Sequence, residues 1–531
     1  MSKITRIVSF LVLSAALLAC SGGTSPSQPT EAPVSSDAEK LTVVVLVLDS
    51  LMPDEIGLST PNLFSLKDQG TFYTESRAMF SAETIPNHVA MMTGVNPNRN
   101  GIPTNNFWDR EARPDNPDGE DLDNPNELTA KTLFTWVDER CRSEAALRNP
   151  RIRTAAVMSK AYLYEIFRGD EADPQDNDAG INNVAPDSNW DPRSSSLYIG
   201  PQAEYTPDEG TIGEALSRLE DSDFVFINLG SIDRAAHAFG PIVRNGQILL
   251  TDQHVGSIVQ TLQDAGKWDN TVMIIVSDHG MDFDGGTGGL ATSPLTHDIV
   301  VQGMLDELPG CGLEPMMAVQ NGGTDSLYIT NLQASAPARN ETLRTVRNCL
   351  VDPDGDICQA ACDGAGLGSA TNGGGVDAAW YVQNNPLDPA GNMPSSVQSS
   401  HENLGDLVVL AADGYNFAEP DLSGNPIPGN HGHAVTFRNT MLVTGGASWI
   451  NQGVEVVPSV ETVAPLDRLP EQSENIDVAA TVAWLLGLSI PNSAFPDGRG
   501  FDGRVLSEAF SQFAGNTSPV SPSSCGLISA E

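Results

Sequence analysis

Positive charge is scarce in this 531-residue chain: 28 lysines and arginines stand against 69 aspartates and glutamates, a formal net charge of −41. Such a field repels phosphate polymers, which argues against nucleic-acid binding through a basic groove and favours solubility. Long apolar runs are scarce too. Beyond the first 20 residues, no segment is apolar for the roughly 20 residues needed to cross a bilayer. There are no internal repeats. Cysteine is sparse, and the cluster Cys349, Cys358 and Cys362 has no histidine beside it, which weakens a zinc-knuckle reading. Setting Cys20 aside, Cys141, Cys311, Cys349, Cys358, Cys362 and Cys525 form an even set. That suits disulfides in an exported chain, with no pairing favoured by the sequence.

The export signal itself is present. MSKITRIVSFLVLSAALLAC carries Lys3 and Arg6, an apolar stretch from Ile7 to Leu18, then Ala19 and Cys20. This is the layout of a secretory signal peptide over residues 1–19. Leu17-Leu18-Ala19-Cys20 resembles a bacterial lipobox, which implies lipidation at Cys20; Ser21 after it leans towards the outer membrane. The expectation is an outer-membrane-anchored lipoprotein facing the periplasm or the cell surface. Residues 20–40, rich in Ser, Thr, Pro and Gly, read as a flexible tether.

The first folded element is LTVVVLVLDS (41–50), an aliphatic run without alternation, as expected of a strand buried on both faces of a parallel sheet. Similar runs recur at 154–159, 223–229, 271–278 and 439–445. Helical stretches lie between them: after Pro86, from about Ile242 to Ala265, and over 476–488. The alternation predicts an α/β fold, a mainly parallel sheet sandwiched by helices. Residues 106–150 read as a surface insertion. Residues 282–430, rich in Gly, Asn and Pro with strand-like SLYIT and LVVLAA, read as an inserted cap region. The core is then 41–281 with 431–515. VDPDGDIC (351–358) holds only half of a calcium-loop pattern and reads better as a solvated turn.

Ligands in open α/β sheets bind beyond the carboxyl ends of the strands. Asp49 stands at such an end, as does Asp278-His279. The strand at 223–229 runs into SIDRAAHAFGP, and a helix there puts Asp233 and His237 on one face. GNHGHA adds His431 and His433 ahead of the last strand. Each alone has a bland explanation, a helix cap or a satisfied core histidine. Together they are a mixed imidazole and carboxylate set that suits Zn²⁺, with enough ligands for two ions. Two metals can clamp the attacking and leaving oxygens of a displacement at phosphorus. Thr84, just ahead of Pro86, is then either a helix cap or a nucleophile at a helix N-terminus.

The ordered motifs DS (49–50), TIPNH (84–88), GIPTNNFWD (101–109), DRAAHAFGP (233–241), SDHGM (277–281) and HGH (431–433) resemble the alkaline phosphatase superfamily. They are most similar to its type I phosphodiesterase/nucleotide pyrophosphatase branch, and DGRGFDGRVLSEAF (497–510) looks like that superfamily's end. The resemblance implies an alkaline phosphatase-like core with two zinc ions. One would be held by Asp49, Asp278 and His279 with the Thr84 oxygen, the other by Asp233, His237 and His431. It implies that Thr84 is the nucleophile, forming a phospho-threonine intermediate, and that Asn105 rather than Asn106 donates to a phosphoryl oxygen. The residues alone do not separate His431 from His433.

Substrate choice is less constrained. Lys160 and Arg234 are candidate cations, and Lys160 resembles a lysine of some monoesterase and phosphonate-cleaving relatives. Ala161 and Tyr162 stand where one monoesterase group has an arginine. Phe107 and Trp108 either wall a leaving-group slot or anchor the insertion. A hydrolase of small phosphoesters, most simply a phosphodiesterase or nucleotide pyrophosphatase, is expected; a phosphomonoesterase or phosphonate hydrolase is the alternative. A surface binding lipoprotein without turnover is the rival from another class, disfavoured because every ligand position is filled. A sulfatase is disfavoured because no cysteine occupies the nucleophile position.

Overall fold

The computed structural model describes residues 41–110, 120–121, 127–145, 152–169, 182–200, 203–283, 297–299, 301–361, 375–417, 428–458, 472–488 and 490–511. The signal, Cys20, the tether, Cys362 and Cys525 lie outside them. All the described residues belong to one compact unit, Glu39–Glu531. No helix among them is long and apolar enough to cross a membrane.

Eight strands build the main sheet: β1 (Thr42–Leu48), β2 (Thr71–Tyr73), β3 (Thr154–Met158), β4 (Ser188–Trp190), β5 (Phe224–Leu229), β6 (Thr271–Val276), β7 (Met441–Thr444) and β8 (Val454–Val456). Their order is β8-β2-β7-β6-β1-β5-β3-β4. The centre is parallel, β1 pairing with both β5 and β6. β7 runs antiparallel to β6 and to β2, so the sheet is mostly rather than wholly parallel.

The unbroken aliphatic run of β1 has a direct cause. Successive side chains point to opposite faces of a strand. Val43, Val45 and Val47 enter one core, shared with helix α1 (Thr84–Thr93) and a C-terminal helix at Asp477–Leu485. Val44, Leu46 and Leu48 enter the other. That second core is covered by Ile248, Val255, Ile258 and Leu262 of the long helix at Pro241–Asp264. With an apolar layer on each side, no polar residue is tolerated until the strand ends, at Asp49.

Part of the stretch expected to be a surface insertion is core. Leu133–Ala145 is a helix, and its Leu133, Phe134, Trp136 and Val137 pack into the first core cluster. Its polar flanks hid a helix of ordinary burial. Further along, the chain expected to form a cap carries a four-stranded antiparallel sheet of strands 316–321, 324–329, 407–411 and 376–381. That sheet has its own apolar cluster, and a Cys349–Cys358 disulfide lies beside it. Asp352 and Asp354 sit exposed in the turn ahead of Cys358.

Two buried carboxyls away from the strand ends should give stability a pH slope. Burial, reinforced by Glu474, pushes Asp477 up to about 7 although it accepts the Arg504 and Glu474 N–H groups. Burial likewise pushes Asp208 up to about 6. Both folded-state values lie above the unfolded ones. Their contribution is complete below the ordinary carboxylate range and is lost as pH rises through about 6 to 7. The unfolding free energy from denaturant titration should therefore fall between pH 5 and pH 8, on the order of 1 to 3 kcal/mol per group. Asp477→Asn should flatten that slope; an unchanged slope would refute the assignment.

Candidate active site

Asp49 follows β1, Asp278 and His279 follow β6, and Lys160 follows β3, all at the carboxyl edge of the sheet. Asp233 and His237 lie on α2 (Ser231–Phe239), which begins just after β5. His431 comes from the loop leading back towards β7. Every one of these residues is buried except His237, which is half-buried.

The question at Thr84 resolves on geometry. Glu83, not Thr84, is the N-cap of α1, and it makes no side-chain cap bond. Thr84 is the first helical residue. Its Oγ1 lies 3.2 Å from Lys160 Nζ and 3.4 Å from His279 Nε2. Pro86, expected at the helix start, sits in the first turn, where its missing N–H costs nothing. The threonine hydroxyl is therefore directed to the sheet's polar edge and does not cap the helix.

The three histidines share one design. The Nδ1 of His237 donates to Gly429 O at 2.9 Å, that of His279 to Gly280 O at 2.9 Å, and that of His431 to Ala82 O at 3.1 Å. Each bond fixes the tautomer and leaves the Nε2 lone pair facing carboxylates. His237 Nε2 is 3.2 Å and His431 Nε2 3.7 Å from Asp233 Oδ1. His279 Nε2 is 3.4 Å from Asp278 Oδ2 and 3.7 Å from Asp49 Oδ1. Those same oxygens, Asp49 Oδ1, Asp233 Oδ1 and Asp278 Oδ2, are buried without a hydrogen-bond donor. A buried, unsatisfied carboxylate oxygen facing an imidazole lone pair is two acceptors in contact, and a cation between them satisfies both. The residues present therefore fit metal ions. Two sets have mutually close ligand atoms: Asp49, Asp278 and His279, and Asp233, His279 and His431. His279 belongs to both, and its ring stacks 3.6 Å from that of His431.

Lys160, 1% exposed, is the counter-charge. Its Nζ lies 2.7 Å from Asp49 Oδ2 and 3.0 Å from Asp233 Oδ2. Burial opposes its charge, yet Asp233 and Asp49 hold the ammonium well above its ordinary range. Burial also opposes the Asp233 charge, and the Lys160 ammonium nevertheless holds that carboxyl well below the usual range. Asp278 behaves oppositely: burial and then the Asp49 charge push it well up. Burial keeps His279 and His431 below the ordinary imidazole value, hence neutral ligands.

Several residues of the site went unnoticed in the sequence. Asn228 on β5 donates to Asp49 Oδ2 at 3.2 Å and to His88 Nε2 at 3.1 Å, while Ser159 Oγ donates to its Oδ1 at 2.6 Å. His88 in turn donates from Nδ1 to Thr84 O at 2.8 Å, and burial lowers it to about 4. Asn475 donates to Asp278 O. The available signal was Asn228 itself, a polar side chain inside the apolar run FVFINL. Conversely, Trp108 is an anchor: it packs edge-on to Tyr328 of the second sheet, 5.8 Å between centroids. Phe107 lies in the main core. His433 turns away from the ligand set and pairs with Asp282 at 2.8 Å.

Asn105 is held by a residue that sequence reasoning passed over. Its Oδ1 accepts the Ile85 N–H at 2.8 Å, which fixes the amide orientation and leaves the NH₂ free to donate. Its own N–H donates to Glu83 Oε2 at 2.6 Å, and Thr104 Oγ1 donates to the same oxygen at 3.2 Å. Glu83 thus ties the loop bearing Asn105 to the start of α1. Glu83→Ala should lower kcat by about 10- to 100-fold. Combined with Asn105→Ala, the loss should be much less than the product of the two. A fully multiplicative double variant would separate the two residues' roles.

A family model described as type I phosphodiesterase/nucleotide pyrophosphatase matches residues 43–434. A bis(5′-adenosyl)-triphosphatase of Xenopus laevis is 25% identical over 256 residues, 47% of this chain and 49% of that protein. The venom phosphodiesterase of Macrovipera lebetinus is 24% identical over 243 residues, 44% of this chain and 23% of its own length. The chain thus spans about half the length, or less, of these curated relatives. Among solved structures, human ectonucleotide pyrophosphatase/phosphodiesterase 5 has a TM-score of 0.55 at 14% identity, with 84% of this chain and 95% of that one covered. An inactive threonine-to-alanine variant of the murine protein, in complex with AMP, has a TM-score of 0.54 at 14% identity, covering 85% and 96%. At this identity the structural likeness speaks for the fold. The family match takes in the metal-ligand candidates, Thr84 and Asn105 together, and on that match the chain belongs to the type I phosphodiesterase/nucleotide pyrophosphatase family.

Proposed function

We propose that this chain is a metal-dependent phosphodiesterase of the nucleotide pyrophosphatase type, with Thr84 as its nucleophile. The observation that carries this is the Thr84 hydroxyl at the N-terminus of α1, 3.2 Å from Lys160 Nζ and 3.4 Å from His279 Nε2, which faces the donorless oxygens of Asp49 and Asp278. The relatives' names, and the neighbour solved with AMP, support a nucleotide substrate.

Asp49, Asp278 and His279 would hold one zinc ion, and Asp233, His237 and His431 the other. Bound there, the ions would supply Lewis acidity to the phosphoryl oxygens and charge compensation for the ionised nucleophile. The chain's own residues do the rest. The positive end of the α1 dipole faces the phosphoryl group, and the Asn105 NH₂, held by the Ile85 N–H on its Oδ1, donates to one of its oxygens. Thr84 Oγ1 bonds to phosphorus as the bond to one leaving oxygen breaks, giving a phospho-threonine that still carries the substrate's second ester arm. Water then cleaves the Oγ1–phosphorus bond and restores the hydroxyl. Lys160 stabilises the Thr84 oxygen as charge develops on it.

Lys160 also favours a second reading, phosphomonoester hydrolysis, since an extra cation suits a dianionic group. Its ammonium is shared between Asp49 and Asp233, however, so little charge is left over. The test compares zinc-loaded protein on bis-p-nitrophenyl phosphate and on p-nitrophenyl phosphate. A diester preference of about 100-fold or more in kcat/KM is expected; a monoester preference would overturn the reading. Export and anchoring through Cys20 are proposed from the signal and lipobox. Cys20→Ala should move the protein from the membrane fraction to the soluble one.

A further inference from the structure

A two-glycine turn of the second sheet touches two separate loops of the active site. Strands 316–321 and 324–329 are joined by Gly322-Gly323. On one side, the Asn321 side chain grips the backbone of Asn106. Its Oδ1 accepts the Asn106 N–H at 2.7 Å, and its Nδ2 donates to Asn106 O at 3.1 Å. Asn105 is the next residue along. On the other side, the Gly323 N–H donates to His431 O at 2.7 Å, and Thr324 Oγ1 donates to Gly432 O. Asn321 and Thr324 are both buried.

The approach is close enough to dictate the residue. A Cβ on Gly323 would stand 2.2 Å from His433 Nδ1 and 2.7 Å from His431 O, so no side chain fits there. The turn is also held from behind. Gly322 O accepts the Phe417 N–H at 2.8 Å, and Gly323 O accepts the Ala411 N–H at 2.9 Å. It is thus a fixed part of a sheet that has its own apolar cluster. A reacting geometry misplaced by about 1 Å can cost about 100-fold in rate, so bracing both loops against one rigid element bears directly on turnover.

We propose that the turn Asn321–Thr324 is a positioning element of the active site. Asn321 sets the loop that carries the phosphoryl donor Asn105, and Gly323 with Thr324 sets the loop that carries the metal-ligand candidate His431. The second sheet thereby acts on the chemistry through both loops. This rests on the phosphohydrolase reading above, and the two arms of the test have different readouts. Zinc-loaded Asn321→Ala should lower kcat for bis-p-nitrophenyl phosphate by about tenfold or more, with KM little changed and zinc affinity equal to the parent's. Thr324→Val, close in shape, should weaken zinc binding by about tenfold in competition with a chromophoric chelator, and Thr324→Ser should restore it. If Asn321→Ala does not fold, Asn321→Asp keeps the size and the acceptor for the Asn106 N–H, and should lose less kcat. A turn with only a structural role would lower the unfolding temperature of both variants and leave kcat and zinc affinity at the parent's values; that result overturns the proposal. A parent without turnover would sink the phosphohydrolase reading, and the zinc titration would then decide the turn by itself.

Discussion

Thr84→Ala is expected to lower kcat by at least about 10⁴-fold while the protein stays folded. The two halves of that expectation come from the same geometry. A threonine that capped α1 would contribute about 1 kcal/mol of stability and nothing to turnover. Thr84 makes no cap bond; Glu83 holds that position. The hydroxyl instead meets Lys160 Nζ and His279 Nε2, so its loss removes a reacting atom and very little packing. Thermal unfolding of the metal-loaded variant should therefore stay close to that of the parent. Thr84→Ser keeps an oxygen and should keep measurable turnover. Acid quenching during steady-state turnover of a diester should trap the phosphoryl group, with its remaining ester arm, on the peptide containing Thr84, and mass spectrometry should find none in the alanine variant. If Thr84→Ala retained activity within about tenfold of the parent, water would be attacking phosphorus directly and the nucleophile assignment would fall.

How much of this was legible beforehand follows from where the information is stored. β1, β3, β5, β6 and β7 were readable because a strand buried on both faces admits only apolar residues, so its ends are marked by the first polar side chain. That same rule exposed Asp49 and Asp278. Thr84, Lys160 and His431 were visible as residue types, but their convergence depends on the strand order β6-β1-β5-β3, which no local pattern encodes. The supporting residues were harder still. Glu83, just ahead of the TIPNH motif, carried no signal of its own, yet it is fully buried and burial pushes it up to about 8. Its partners Thr104 and Asn105 lie some twenty residues away. The helix at Leu133–Ala145 was lost because its sequence from Asp138 onward is mostly charged and polar. Arg234 was visible only as a candidate cation, because its packing over the Tyr205 ring is a property of the fold.

Removing the metal should change the sign of one mutational effect. Three buried carboxylates converge with a single buried ammonium, and three of their oxygens have no donor. Stripping the protein with a chelator should abolish turnover, lower the unfolding temperature by several degrees, and be reversed by zinc. Chelation that left both activity and unfolding temperature unchanged would remove the metal reading. Asp278→Asn sharpens the test. In the metal-free protein, burial and the neighbouring Asp49 charge push the Asp278 carboxyl well above its usual range. Its folded-state value then exceeds the unfolded one, so the stability it contributes at low pH is lost as pH rises. A neutral amide removes that repulsion, and the metal-free variant should melt higher than the metal-free parent at pH 8. With zinc present the order should reverse, because the amide is a poorer ligand and part of the binding energy is forfeited. A merely structural aspartate would be destabilised by the same substitution under both conditions. Only a carboxylate whose charge is tolerated because a cation answers it can show the inversion.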